Sequence, residues 1–290
     1  MDNRDYQLLL DLYETQNITK AAQRHFLSQP AMTKRIKRIE DELGCELVLR
    51  NQKGVVFTSA GERIIPYCRK MNQTDMEMRN AVNQSLGVIG GSITIYVSHN
   101  FAHYRLPDIL HRFYQKYPSV EINVVTGKSK QLYTKLLQDK LCIAILRGDY
   151  KWSSDKFLLS TEPMCIITSK ENIGRPLSDY PYIGHHTDSA EAAKMERWAE
   201  ENGLSLETTL WIDDINGCKE LVRRGLGWSI LPRICLDDFD GEIETLAFQD
   251  GTQFTRSTYA MYWDSYKELQ QVQMFLDVLD EFRLEYAGHF

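Results

Sequence analysis

Gln29, Pro30, Thr33, Lys34 and Lys37 recur at the spacing that puts side chains on one face of a helix. Their chemistry suits the edges of base pairs. A Gln amide can pair bidentately with adenine, a Lys with O6 and N7 of guanine, and a Pro ring or Thr methyl can touch a thymine methyl. Thr19, Ser28, Lys37, Arg50 and Lys53 are of types that hold phosphate oxygens and fix a register on the backbone. Taken alone, the run Lys34, Arg35, Lys37, Arg38 reads first as a solvated helix face, as most charge runs do. Its flanks decide otherwise. Leu47 to Arg50 and Val55 to Phe57 alternate like two short strands, joined by Asn51-Gln52-Lys53-Gly54. That is a basic hairpin tip beside a helix, able to reach phosphate or the minor groove.

The elements needed to present this face are legible. Ser28 stands at an N-cap and Pro30 in the first turn, where its missing N–H costs nothing. Met32, Ile36, Ile39 and Leu43 form the opposite, apolar stripe, and Gly44 fits a left-handed C-cap. A preceding helix starts near Thr19, with Ala21 and Ala22 small enough for close approach. A first helix, about Arg4 to Thr15, offers Tyr6, Leu9, Leu10 and Tyr13 to the core.

From Ser59 the pattern is helical again, and Ser59-Ala60-Gly61-Glu62 fits a capping box. Ile64, Cys68, Met71, Met78 and Val82, with Asp75 the polar member, fall at alternating steps of four and three. That seam predicts pairing between two copies of the helix, the alternative being a helix packed on its own domain. Pro66 falls early in it. Gly87, Gly90 and Gly91 break it and make a hinge.

Beyond Gly91, strands alternate with helices, first over 93–146 and then over 164–231, with a further strand from Thr258 to Trp263 and a last helix from Lys267 to Arg283. Two such sets predict two subdomains with a cleft between them. In open α/β sheets ligands collect at the carboxyl ends of strands. Ser98, His99 and Asn100 follow the first strand, Thr126 and Lys128 the second and Arg147 the third. His185 and Thr187 precede a helix of the second set. Each residue alone reads as a polar loop cap, but together they suit a small anion.

The bulk numbers bound the alternatives. The 290 residues carry a net charge of −6, yet residues 1–66 hold ten Lys and Arg against nine acids. The acidic remainder disfavours nonspecific adhesion to DNA. There is no apolar leader and no run long enough to span a membrane, so a cytoplasmic chain without a membrane partner is expected. Cys45, Cys68, Cys142, Cys165, Cys218 and Cys235 show neither C-x-x-C nor zinc-ligand spacing. Buried free thiols are the expectation, and a redox pair of Cys218 with Cys235 is the alternative. His185-His186 lacks the further ligands a metal needs. No nucleophile elbow, P-loop or dinucleotide fingerprint occurs, so neither catalytic residues, metal nor cofactor is expected.

Ala21-Ala22, Ser28-Gln29-Pro30-Ala31, Ile36, Ile39-Glu40, Glu42-Leu43-Gly44, Leu47, Arg50 and Thr58-x-x-Gly61 resemble the winged helix-turn-helix of the LysR-type transcriptional regulators. Phe26 and Val48 depart from that pattern. Gly225-x-Gly227-Trp228-x-x-Leu231-Pro232 resembles a segment of the same family's effector-binding domain. The resemblance implies a multi-domain α+β and α/β fold. A winged helix-turn-helix would occupy 1–58, a linker and dimerisation helix with its hinge 59–90, and a periplasmic-binding-protein-like effector domain 91–290. Subdomain I would span about 91–162 and 266–290, and subdomain II about 163–265. It also implies a regulator, not an enzyme, that binds pseudo-palindromic double-stranded DNA as a homodimer or homotetramer. Its other partners would be a small-molecule effector and RNA polymerase. A small-molecule binding protein whose N-terminal domain only mediates assembly is the competing reading. Replacing Lys34 separates the two.

Overall fold

The computed structural model describes residues 1–51, 54–85 and 90–286, and these form two compact units, 1–92 and 93–290. In the first unit, α1 (Asn3–Thr15), α2 (Ile18–Arg24) and α3 (Gln29–Leu43) precede a hairpin of β1 (Val48–Asn51) and β2 (Gly54–Phe57), and α4 (Ser59–Ser85) follows. Each helix starts on a side-chain cap. Asp2 and Asp5 form a reciprocal capping box on α1, Asn17 caps α2, and the Ser28 hydroxyl accepts from Ala31 N at 3.4 Å to cap α3. Gly44 ends α3 at φ 70°, as expected. Met32, Ile36 and Ile39 are buried against Leu8, Leu9 and Leu12, whereas Leu43 is exposed and so leaves the stripe. Tyr6, Leu10 and Tyr13 sit at the margin of this core. In the turn before α3, Phe26 is left-handed at φ 54° and its ring is exposed, while Val48 is buried.

Helix α4 differs from the expectation in two ways. Its cap is Thr58, one residue before Ser59. The Thr58 hydroxyl accepts from Gly61 N at 3.0 Å and donates to the Glu46 carbonyl at 2.8 Å. Its first turns also pack on their own unit. Ile65 and Cys68 are buried in that core, with Ile64 at its edge, and Asn3 Nδ2 donates to Asp75 at 2.8 Å. The expected seam therefore divides: Cys68 is core, whereas Met71 and Met78 are 48% and 59% exposed. The helix runs on through Pro66. Of the expected hinge, Gly87 lies outside the described residues.

Gly61 has a packing reason. A Cβ there would run into the Leu47 carbonyl oxygen and the Phe57 ring. Gly→Ala in a helix ordinarily stabilises by ~1 kcal/mol. Gly61→Ala should instead destabilise the unit by about 1–3 kcal/mol through overpacking. Urea unfolding followed by far-UV circular dichroism reads the sign directly.

The second unit opens with β3 (Gly91–Ser98), α5 (His99–Tyr104), α6 (Leu106–Lys116), β4 (Val120–Gly127), α7 (Ser129–Gln138) and β5 (Ile143–Arg147). It continues through β6 (Lys156–Thr168), β7 (Ile183–His185), α8 (Ser189–Glu201), β8 (Leu210–Ile212), α9 (Ile215–Arg223) and β9 (Ser229–Pro232). β10 (Glu242–Thr245), β11 (Thr255–Tyr262), α10 (Asp264–Lys267) and α11 (Gln270–Tyr286) complete it. Among the described residues the main sheet runs β10-β6-β11-β5-β3-β4, with β9 also on β6. β3 and β5 are parallel, whereas β11 is antiparallel to both β5 and β6.

The thirteen-residue β6 serves two lobes. Its first half, to Pro163, pairs with β11, and its second half, from Met164, pairs with β9 and β10. The strand Thr258 to Trp263, expected in subdomain II, is thus part of the first lobe's sheet. The chain crosses back near Thr255, ten residues before the expected 265. β5 is buried on both faces from Ile143 to Leu146, as a central strand must be. In the second lobe, Met164 and Ile166 face one core around Trp198 and Trp228, and Cys165 and Ile167 face another around Cys218 and Val222. The Gly225-x-Gly227 pattern belongs to this lobe. Gly225 is at φ 77°, and a Cβ on Gly227 would meet the Pro181 carbonyl where β7 is joined to Trp228. Among the described residues no helix is long and apolar enough to cross a membrane.

Candidate functional site

Two surfaces carry the candidate chemistry. On the first, α3 turns Gln29, Pro30, Lys34 and Lys37 outward. The four basic residues of its run do not act alike. Asp5, fully buried on α1, accepts Arg35 Nε at 2.6 Å and Arg38 Nη2 at 2.8 Å, and Asp2 accepts Arg35 Nη2 at 2.8 Å. Lys34 and Lys37 have no ion-pair partner among the described residues. Two of the four charges therefore hold α3 to α1, and the other two face outward. Thr33 is half-buried. Its hydroxyl oxygen is covered and makes no hydrogen bond, so the exposure it keeps is not on the hydroxyl. Thr19 is exposed on the first turn of α2, and the Ser28 hydroxyl oxygen is engaged as the α3 cap. Arg50 lies on β1 in register with Val55. Lys53 lies outside the described residues.

The second surface is a cavity of about 840 Å³ between the lobes of the second unit. Of the residues expected there, Ser98, His99, Asn100, Lys128, Arg147, His185 and Thr187 line it. Thr126 does not line it: it is exposed near the end of β4, and the chain turns into the cavity only at Gly127. His185 lines the wall as a structural group. Its Nε2 is 2.9 Å from the Ile230 carbonyl and its Nδ1 3.2 Å from the His186 carbonyl, and burial pulls its pKa down.

Arg256, Glu162 and Thr258 were missed by the sequence reading. Arg256 Nε donates to Glu162 Oε1 at 2.7 Å, while Glu162 Oε2 accepts from Ile234 N at 2.7 Å, all within the buried wall. The signal was present. The alternation of the strand expected from Thr258, continued back by two places, puts Arg256 on the same face.

Polar contacts cross the cleft. Arg147 Nη2 donates to Asp188, the N-cap of α8, and Arg147 Nη1 lies 3.6 Å from Glu191. Burial pushes the Glu191 carboxyl up, against the pull of Arg147. Lys128 Nζ donates to His186 Nε2 at 3.0 Å, and Tyr104 donates to Asn216.

The thiols present a different environment. Cys218 and Cys235 are fully buried, and burial pushes them to about 11 and about 12. Cys45 is the exposed thiol. Among the described residues no three His, Cys, Asp or Glu gather as a metal set.

Comparison with known proteins places both units. The family described as bacterial regulatory helix-turn-helix protein, lysR family, matches residues 3–62, and the LysR substrate binding domain matches residues 87–283. The chain is 34% identical over 282 residues to the HTH-type transcriptional regulator YraN of Bacillus subtilis, covering 96% of this chain and 97% of that one. In fold it is similar to the Vibrio cholerae virulence activator AphB, with a TM-score of 0.62 at 18% identity, over 97% and 99% of the two chains. It is similar too to full-length CbnR complexed with target DNA, with a TM-score of 0.54 at 16% identity, over 98% and 100%.

Proposed function

The chain belongs to the LysR family of transcriptional regulators, and from that premise we propose that it reads a pseudo-palindromic DNA site as a dimer or tetramer under control of a small anionic effector. The observation that carries this is the division of charge on α3. Lys34 and Lys37 stand exposed without ion-pair partners among the described residues, beside Gln29 and Pro30, while Arg35 and Arg38 are held by Asp5. A merely solvated helix face has no need of that division. Gln29, Pro30, Thr33 and Lys34 read base edges, and Thr19, Ser28, Lys37, Arg50 and Lys53 position the helix on the backbone. CbnR, a fold neighbour, is a protein solved with its target DNA.

Self-association rests on α4. Met71 and Met78, exposed on a helix whose other face is already packed, are the surface a second copy covers. A two-fold dimer requires an inverted repeat. The effector binds in the cleft and biases the angle between lobes, and through it the spacing or bend of the DNA site. The buried state of Cys218 and Cys235 speaks against the thiol-switch alternative, since the thiolate is the reactive form.

Footprinting of the purified protein on DNA upstream of its own gene, across a salt series, tests the reading. A protected inverted repeat whose affinity falls steeply with salt is the expected result. A folded, oligomeric protein that protects nothing at low salt, with or without candidate effectors, would leave only the small-molecule binding reading.

A further inference from the structure

The cleft holds two guanidinium groups in opposite conditions. Arg256 is 9% exposed and lines the cavity, yet its one bond is from Nε to Glu162. Neither Nη has a protein partner among the described residues, so the planar fork that binds an oxyanion with two parallel hydrogen bonds is left open on the cavity wall. Arg147, from the end of β5, is occupied instead. Asp188 takes its Nη2 across the cleft, and Glu191 sits beside its Nη1. Burial, and then the neighbouring Arg256, disfavour the charge on Arg147, while Asp188 and Glu191 favour it, so both guanidiniums face the same part of the cavity wall. Lys128 adds a third cation, since its partner there is an imidazole nitrogen that leaves the charge uncancelled. Asp188 is half exposed at the rim, so its carboxylate can leave Arg147 for water at small cost, whereas Glu191 cannot.

We propose that the effector is a small organic acid with two or more carboxylates, one seated on the open Arg256 fork and a second displacing Asp188 from Arg147. This rests on the reading of the cleft as the effector site and adds its chemistry. Asp188 then acts as a built-in competitor. It holds the lobes together across the cleft through Arg147 and raises the effector concentration needed to replace it. An acid with one carboxylate satisfies Arg256 but leaves the Arg147–Asp188 contact in place, so it binds weakly and does not change the lobe contact.

Isothermal calorimetry on the full chain tests this with di- and tricarboxylates of two to six carbons. Monocarboxylates of equal length, inorganic phosphate and sulfate are the comparisons. Two variants keep the fold. Arg256→Lys retains the charge opposite Glu162 and loses the fork. Asp188→Asn retains the α8 cap, since Asn caps as well as Asp, and removes the competing charge. At least one polycarboxylate should bind. Arg256→Lys should weaken it about tenfold or more, and Asp188→Asn should tighten it by about tenfold, from the strength of charge-assisted hydrogen bonds. A purely structural Asp188 predicts no tightening. The proposal is overturned if phosphate, sulfate or a monocarboxylate binds as well as any polycarboxylate, if none of these acids binds, or if either variant binds like wild type. In the first two cases a footprint that still responds to another effector leaves the regulator reading intact. A chain that protects no DNA removes the regulator reading itself.

Discussion

Replacing Asp5 with alanine lowers the stability of the N-terminal unit by about 1.5–3 kcal/mol, the worth of a hydrogen bond to a charged group, because the carboxylate is buried while the two arginines it holds keep some access to water. The carboxylate is fully buried and accepts from Arg35 Nε, Arg38 Nη2 and Asp2 N. Its loss removes one arm of the α1 capping box, leaves Arg35 with Asp2 alone and leaves Arg38 without its carboxylate. The readout separates the units cleanly. All five tryptophans lie beyond residue 150, so tryptophan fluorescence reports the second unit, whereas far-UV circular dichroism also reports the helices of the first. In urea, the dichroism of Asp5→Ala should acquire an early transition while its fluorescence transition stays where it is in wild type. Asp5→Ala transitions that match those of wild type by both probes would deny Asp5 this role.

The same residue sets a pH dependence. Burial pulls the Asp5 carboxyl up, but hydrogen bonds from Arg35 and the Asp2 amide, with the charges of Arg35 and Arg38, outweigh it and hold the pKa below the usual range. A depressed carboxylate binds its proton more readily in the unfolded chain. Its contribution is therefore complete above the unfolded value of about 3.9 and is lost as pH falls through the lower folded value. Wild type and the isosteric Asp5→Asn should differ most near neutrality and converge in acid.

What was legible in the sequence was local. Ser28, Pro30 and Gly44 mark the bounds of α3 because caps act within one turn, and Met32, Ile36 and Ile39 mark its buried face because the period is fixed by the helix. The division of the basic run was not legible. It depends on Asp5, a helix away, and nothing in the spacing of Lys34, Arg35, Lys37 and Arg38 distinguishes the pair it holds. The seam on α4 shows the same limit. Cys68 and Met71 share a heptad pattern, but only tertiary contact with α1 decides that the first is core and the second exposed.

In the effector unit the strand ends were placed well enough to find seven of the eight expected lining residues. Thr126 falls one residue short, because it is still on the exposed stretch of β4 and the chain turns into the cavity only at Gly127. Arg256 and Glu162 stayed hidden for a topological reason. β6 is one continuous strand through two lobes, and β11 returns antiparallel beside it, so this part of the cavity wall comes from the middle of β6 and the amino end of β11, not from carboxyl ends of strands.

The second large effect concerns DNA. Substituting Gln29 or Lys34 with alanine should cost about 1–3 kcal/mol per half-site, the worth of a bidentate base contact. It should also relax the preference at the base pair each one reads. Lys37→Ala should act differently. A phosphate contact carries no sequence information, so affinity should fall by a similar factor on every sequence. The slope of log K against log salt should become shallower by about 0.9 per half-site. Fluorescence anisotropy on the footprinted site and on single-base variants, at several salt concentrations, separates the two signatures. The structure makes the contrast a sharp one. All three side chains are exposed on α3, while Met32, Ile36 and Ile39 on its other face fill the core, so none of the substitutions opens a cavity. A loss of binding with unchanged urea unfolding is then a property of the interface. If Gln29→Ala and Lys34→Ala leave affinity and base preference untouched, α3 does not enter the groove. The charge division enforced by Asp5 would then serve only to hold α1 and α3 together.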